Sequence, residues 1–497
     1  MKRWLIAAFT LTITISVVVF TQAMSEKPSL QLGVPGEWTW RYDHSPYADR
    51  ALIPLVAAGL LGVLCYFARQ RTLEFVGRRP SIFLALAIFF TLWLQVSFAY
   101  LGRAGFGQGI FWAGFDGANP YFGEARRTHS LTELMAEAQD PNRPFRIHVS
   151  AHPPGPVLFY YVLLRAWGTT PETAAAFTKF MEKVTPYAGE SRAILEERIA
   201  RRSYSNAELA TLYSSILILW LLVALAVLPL YYWAASLFGQ PAAIATIGFY
   251  ALTPSILLFN PMTDQMVVPT AILMLASFHF GLSRRDPAKL LFAGILTWIG
   301  LQYSLSFLGL LFLFGICAFL EVMPGKHDLD RLKLLAFSAL SFVVMVLLFL
   351  PFGYNSLRAW QICLTRTVQG ETRSYLAWTG FNLFDFALFA GLPVTVFLVR
   401  GVFGALKRRE TAAHRFTIAM AITLMALNFS GINRGEVARL WMFLMPMTTA
   451  IAAYALEEET GKARWGFPIC FGLLFVQSVL FKLSLDVLLT SIELATR

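Results

Sequence analysis

Residues 209–237 read LATLYSSILILWLLVALAVLPLYYWAASL, a run with no Asp, Glu, Lys or Arg. A helix needs about 20 mostly apolar residues to cross the hydrocarbon core of a bilayer, so this run is a span. Reading outward from it, similar runs recur along the whole chain. They give about thirteen spans, near 4–22, 51–68, 82–101, 209–237, 242–259, 266–283, 289–303, 304–322, 334–351, 381–399, 415–431, 439–456 and 465–484. The 289–322 stretch is too long for one span, and Gln302-Tyr303-Ser304 marks a turn at its centre. Composition agrees. Only 14% of the 497 residues are charged, against roughly 25% in a soluble domain. The expected fold is an all-α polytopic membrane protein, one transmembrane domain over 1–497 with no internal repeat and no polar linker. Lys2-Arg3 and the apolar run behind them read as an uncleaved first span. A cleaved signal peptide is the rival, but the run is long for one.

The net charge of +11 is spread over short basic runs between apolar stretches. That pattern fits the positive-inside rule and gives no basic patch for nucleic acid. Lys2-Arg3, Arg69, Arg71, Arg78-Arg79, Arg284-Arg285, Lys289, Lys326, Arg331, Lys333, Lys407-Arg408-Arg409, Lys462 and Arg464 occupy one set of alternate loops, which is expected to be cytoplasmic. The other face then carries 23–50, 102–208, 260–265, 352–380 and 432–438. It is the periplasm, cell exterior or a lumen, and a bacterial inner membrane is the expected location. Cys65, Cys317, Cys363 and Cys470 lack metal-ligand spacing and give neither a disulfide framework nor a zinc site.

The 102–208 loop is far longer than the roughly 15 residues beyond which loops are usually functional or disordered. It is not low-complexity. Ser130-Leu131-Thr132-Glu133 reads as a capping box closed by Asp140-Pro141. Thr170-Pro171 opens a second helix, 189–202 a third, charged one, and Ser205 with Glu208 forms another capping box. Pro156–Gly168 is apolar but too short to span, and reads as a juxtamembrane or re-entrant helix.

Four groups on the expected outer face carry candidate chemistry. In 114–125, GFDGANPYFGEA, Asp116 and Glu124 sit just beyond the third span. A carboxylate at the edge of low dielectric suits a general base; the alternative is a turn whose Asp accepts backbone hydrogen bonds. In 146–156, RIHVSAHPPGP, His148 and His152 beside Arg146 suit ligands, acids or phosphate partners, or are structural. Asp264, in Asn260-Pro261-Met262-Thr263-Asp264, is either functional by virtue of its position beside a span or a solvated loop aspartate. Arg358, Arg366, Glu371 and Arg373, with Glu436 and Arg439, put arginines where the orientation rule disfavours them. Guanidinium groups bind phosphate bidentately; pairing with acids of the long loop is the rival reading. Together these groups suit an anionic, lipid-linked substrate.

The order of these elements resembles the membrane-embedded GT-C glycosyltransferases, in particular the group holding the protein O-mannosyltransferases and lipid A aminoarabinose transferases. Phe115-Asp116 stands at their acidic motif and His152-Pro153-Pro154 at their His-Pro-Pro segment. Leu237-Phe238-Gly239 and Thr253-Pro254-Ser255 then lead to Asp264. The resemblance covers roughly 82–310; the rest follows by topology. It implies transfer of a sugar from a polyprenyl-phosphate carrier to a glycan, lipid or protein acceptor on the outer face, with the carrier tail between spans among the membrane lipids. Asp116 would be the base and Asp264 a donor-site organiser, with Glu124 and His152 as further catalytic candidates. Arg366, Arg373 and Arg439 are assigned to the carrier phosphate from their own chemistry, and Arg146 and His148 to the acceptor side. Gln302 stands where relatives often carry a lysine near the phosphate. Gly117 stands where a second acid often follows the first, and two extra spans precede the acidic motif. The implied reaction is a single, inverting displacement needing no cofactor, a divalent metal remaining possible. A secondary transporter and an inactive assembly subunit of the same fold are the alternatives.

Overall fold

The computed structural model describes residues 2–25, 28–70, 80–102, 105, 107–142, 147–322, 329–408, 411–460 and 465–486. Several basic residues used above for orientation, Arg71, Arg78, Arg79, Lys326, Arg409, Lys462 and Arg464, lie outside them.

Helices stand at all thirteen expected places, but they are not equivalent. Among the described residues nine are long and apolar enough to cross a membrane: Arg3–Ala23, Ala48–Arg69, Pro80–Ala99, Asn206–Phe238, Gln240–Leu258, Thr263–Ser283, Lys333–Phe352, Ala412–Ser430 and Gly466–Ser484. The chain is an integral membrane protein. Helices Pro287–Tyr303, Phe307–Val322 and Met445–Thr460 are shorter, at 17, 16 and 16 residues. At about 1.5 Å per residue these reach roughly 25 Å, less than the hydrocarbon thickness of about 30 Å. The first two are separated at Ser304–Ser306, where the polar triplet marks a turn.

The expected span 381–399 is instead a broken pair, Tyr375–Ala390 and Leu392–Arg408, bent by 114°. Gly391 takes φ +99°, and a Cβ there would sit 2.2 Å from Leu474. Pro393 follows in the first turn of the next helix. The break leaves backbone groups without helical partners, and Gln477 bonds the backbone on both sides of it. Its Oε1 accepts from Leu392 N–H at 2.8 Å and its Nε2 donates to Leu388 O at 2.8 Å. The expected span 439–456 also starts later, at Met445. Glu436 (φ +57°) takes a left-handed conformation, and a separate turn, Val437–Leu440, carries Arg439.

The long loop folds as a cluster of helices. Ser130 caps Leu131–Glu137 by accepting from Glu133 N–H at 3.1 Å, while the Glu133 carboxylate reaches His129 N–H at 2.8 Å. The Ser205–Glu208 box is complete in both directions. Pro171–Val184 has its proline in the first turn. The charged segment forms Ala188–Ile194 and a π-helical turn, Leu195–Ile199, with Arg192 paired to Glu182 and Glu196. Gly155–Gly168 packs against Pro120–Arg127 and Asn206–Leu225.

Residues 33–42 form a strap. Gly33–Val34 pairs with Trp38–Thr39, and Arg41–Tyr42 pairs antiparallel with Leu485–Asp486 beyond the last helix. This ties the loop after the first helix to the segment that follows helix Gly466–Ser484.

Candidate active site

Segments from all five loops expected on the outer face line one cavity of about 410 Å³. They are the strap (Trp38–Arg41), the long loop (Trp112, Ala113, Gly117–Tyr121, His152 and Tyr160), Pro261–Asp264, Arg373, and Glu436 with Arg439. The volume lies within the few-hundred to one-thousand Å³ range of small-molecule sites.

Local sequence explains each wall. Pro120 starts helix Pro120–Arg127, and Asn119 before it donates to Ala113 O at 3.0 Å. A Cβ on Gly117 would sit 2.5 Å from the Phe115 ring, so a larger residue there would push that ring aside. Gly155, at the end of the His-Pro-Pro segment, lies against the helix end at Gln302-Tyr303; a Cβ would meet Gln302 O at 2.4 Å. That contact sets where His152 stands. Its ring meets Tyr121 edge-on, with centroids 5.6 Å apart. The 260–264 segment is held from three sides. Asn260, wholly buried, accepts from Trp220 Nε1 and donates to Gln95 O. Thr263 Oγ1 bonds Tyr160 Oη at 3.0 Å, and Tyr303 Oη donates to Thr263 O at 2.7 Å.

Charges alternate across the floor. Asp264 Oδ2 lies 3.7 Å from Arg439 Nη1. Arg439 Nη2 donates to Glu436 Oε2 at 2.9 Å, and Glu436 Oε1 accepts from Arg373 Nη2 at 3.0 Å. Arg373 also donates to Arg434 O. Gly435 (φ +91°) makes this turn possible, since a Cβ there would sit 3.0 Å from Arg373 Nη1. Burial alone would lower the Arg439 pKa, but Asp264 and Glu436 outweigh it and hold the guanidinium above its ordinary value. Burial, with the Asp264 charge adding to it, pushes the Tyr121 phenol well above its usual range. Tyr121 therefore keeps its proton and can donate.

The other expected site residues fall elsewhere. Asp116 is not among the residues lining the cavity. Its Oδ2 is 3.8 Å from Arg127 Nη1, and the same guanidinium donates to buried Glu124 at 2.9 Å. Asp116 is thus one residue from the cavity wall, at Gly117, with its carboxylate packed over Gly123. Gln302 is buried behind Gly155, where its Nε2 donates to Ser356 Oγ at 3.0 Å and its Oε1 accepts from Tyr354 Oη. Arg366 donates to Asp140 O and Pro141 O, at 3.3 and 2.9 Å, and so holds the long loop. Arg146 and the His148 side chain lie outside the described residues. Among the described residues no group of three or more His, Cys, Asp or Glu is arranged to hold a metal ion.

Sequence reasoning passed over the strap, Trp112 and Tyr160. The signal in the strap was three aromatics, Trp38, Trp40 and Tyr42, crowded around Arg41 in the loop between the first two spans.

No protein-family model and no curated protein matches the chain. Among solved structures it is similar to the Archaeoglobus fulgidus oligosaccharyltransferase complex with Zn and sulfate, at 15% identity and a TM-score of 0.30. The alignment covers 59% of this chain and 44% of that one, so this chain spans less than half of that protein's length.

Proposed function

We propose that the chain is a membrane glycosyltransferase that moves a sugar from a polyprenyl-phosphate donor to a glycan, lipid or protein acceptor at the outer face. One observation carries this reading. The charged row Asp264–Arg439–Glu436–Arg373 and the aromatic walls of five separate loops meet in a single cavity at the ends of the spans. Arginines suit a phosphate, aromatic faces suit the apolar faces of a sugar ring, and flanking spans suit an isoprenyl tail. A transporter would gather its ionisable groups near the midplane of repeated halves; here they lie at span ends.

In the reaction, an acceptor hydroxyl oxygen attacks the anomeric carbon. The bond from that carbon to the phosphate oxygen breaks, and the phosphate leaves with the electron pair toward Arg439 and Arg373. The hydroxyl proton passes to a carboxylate, Asp116 in this reading. One displacement inverts the anomeric centre. The test supplies labelled short-chain polyprenyl-phosphate sugars to the protein in nanodiscs and follows label leaving the carrier and the configuration of the product. Transfer with inversion is expected; a product of retained configuration would exclude single displacement, and uptake of an unaltered solute into proteoliposomes would favour a transporter.

Trp112 supplies a second prediction. It lines the cavity, and its buried Nε1–H has no hydrogen-bond partner among the described residues. An unsatisfied buried donor costs about 1–3 kcal/mol; in this reading the ring turns on substrate binding, and a substrate oxygen then meets that N–H. Trp112→Phe keeps the ring and deletes the donor. Donor-lipid affinity is expected to fall about five- to tenfold, the worth of one neutral hydrogen bond, while the thermal midpoint does not fall. Unchanged affinity would remove Trp112 from the substrate contacts.

A further inference from the structure

Trp378, Asn382, Asp385 and Phe389 recur at helical spacing along Tyr375–Ala390 and so share one face. That face holds two segments from opposite ends of the chain. On the strap side, Trp378 Nε1 donates to Glu37 at 2.7 Å, and Trp40 stacks on Phe389 with centroids 4.4 Å apart. On the side of the arm that carries Arg439, Asn382 donates to Asn433 O at 2.9 Å and accepts from Gly435 N–H at 3.0 Å. Asp385 touches both. Its Oδ1 accepts from Trp40 Nε1 at 2.7 Å and its Oδ2 from Ala438 N–H at 3.2 Å.

Asp385 is wholly buried, and a carboxylate there is costly to desolvate. Both of these bonds are to uncharged N–H donors. The two donors reach different terminal atoms of the side chain, so both of those atoms must accept, which Asp provides and Asn does not. The cost therefore has a geometric return. Ala438 precedes Arg439 and Trp40 precedes Arg41, so one carboxylate sets the two walls of the cavity against each other.

We propose that Asp385 is a positioning residue that fixes the aromatic strap and the Arg439 arm in one relative placement, and so couples their contributions to donor binding. This rests on reading the cavity as the donor site. It places Asp385 outside the reacting atoms and gives it a role in affinity rather than chemistry.

The test uses the full chain in nanodiscs with two readouts, hydrogen exchange and affinity for farnesyl phosphate, a short isoprenyl monophosphate. Asp385→Asn turns an amide N–H₂ toward one of the two donors. It is expected to raise exchange in peptides covering both 37–42 and 435–440, leave 206–238 as protected as in wild type, and weaken the probe about tenfold. Trp40→Phe keeps a ring against Phe389 but removes the strap-side donor; it is expected to raise exchange in the strap and weaken the probe. Because both changes cut one linkage, the double variant is expected to bind no worse than Asp385→Asn alone. Protection unchanged in either segment of Asp385→Asn, or losses that multiply in the double variant, would overturn the proposal. Should Asp385→Asn exchange throughout as an unfolded chain, Trp40→Phe decides alone: a strap loosened with no loss of probe affinity overturns it. If wild type does not bind the probe, the donor-site reading fails while the exchange result still decides the role of Asp385.

Discussion

Arg439→Ala is expected to lower kcat/KM for transfer from a polyprenyl-phosphate sugar by about 10²–10³-fold, the usual effect of deleting one preorganised group that stabilises developing charge. Arg439 is the central cation of the row, between Asp264 at 3.7 Å and Glu436 at 2.9 Å. Its removal acts twice. The departing phosphate loses a positive partner, and two carboxylates lose the charge that separates them. Charged hydrogen bonds contribute about 1.5–3 kcal/mol each, so some loss of stability accompanies the change and the rate is read on folded protein. Arg439→Lys separates charge from shape. An ammonium keeps the sign but cannot hold two carboxylates and a phosphate with a planar fork, and a loss of about 10–100-fold is expected from the smaller deficit. Label release from the carrier gives the rates, and size-exclusion behaviour in detergent reports folding. A folded Arg439→Ala variant within threefold of wild type would remove the phosphate from this end of the cavity.

Much of this arrangement was legible from charge. The scatter of Lys and Arg assigned 23–50, 102–208, 260–265, 352–380 and 432–438 to one face, and all five supply cavity residues. Caps at Ser130 and Ser205 were legible because they are local hydrogen-bond chemistry. What depends on helix rotation was not. Arg366 and Arg373 look alike in sequence, yet Arg366 donates to two carbonyls of the long loop while Arg373 reaches Glu436. Gln302 occupies the expected place along the chain but faces Tyr354 and Ser356. The break at Gly391 was hidden in an apolar run whose average hydropathy reads as one span; Gly391 and Pro393 were the available marks, and the partner that satisfies the break, Gln477, lies far along the chain. Asp385 was hidden in the same run, although an ionisable residue inside an apolar helix is a functional signal by default.

The sharpest remaining choice is between the two aspartates. A base must come within hydrogen-bond reach of the proton it takes, though such contacts often tighten only when substrate is present. Asp264 lines the cavity, but it is committed to Arg439 and suits holding the donor. Asp116 sits beside the wall, next to Gly117, and shares Arg127 with Glu124. Both aspartates stand at ion-pair rather than hydrogen-bond distance from their arginines, 3.8 Å for Asp116 and 3.7 Å for Asp264, so their place relative to the cavity and not the strength of attachment separates the roles. Asp116→Asn is therefore expected to lower kcat by about 10²–10⁴-fold, the range of general-base catalysis, with donor KM little changed. Asp264→Asn is expected to do the reverse, raising donor KM about tenfold as Arg439 loses the charge that faces it at 3.7 Å. Steady-state kinetics of the two variants with one labelled donor separates the roles. Wild-type turnover by Asp116→Asn, together with a collapse of kcat in Asp264→Asn, would move the base to Asp264 and make the Asp116–Arg127–Glu124 cluster a brace for the helix that carries Tyr121.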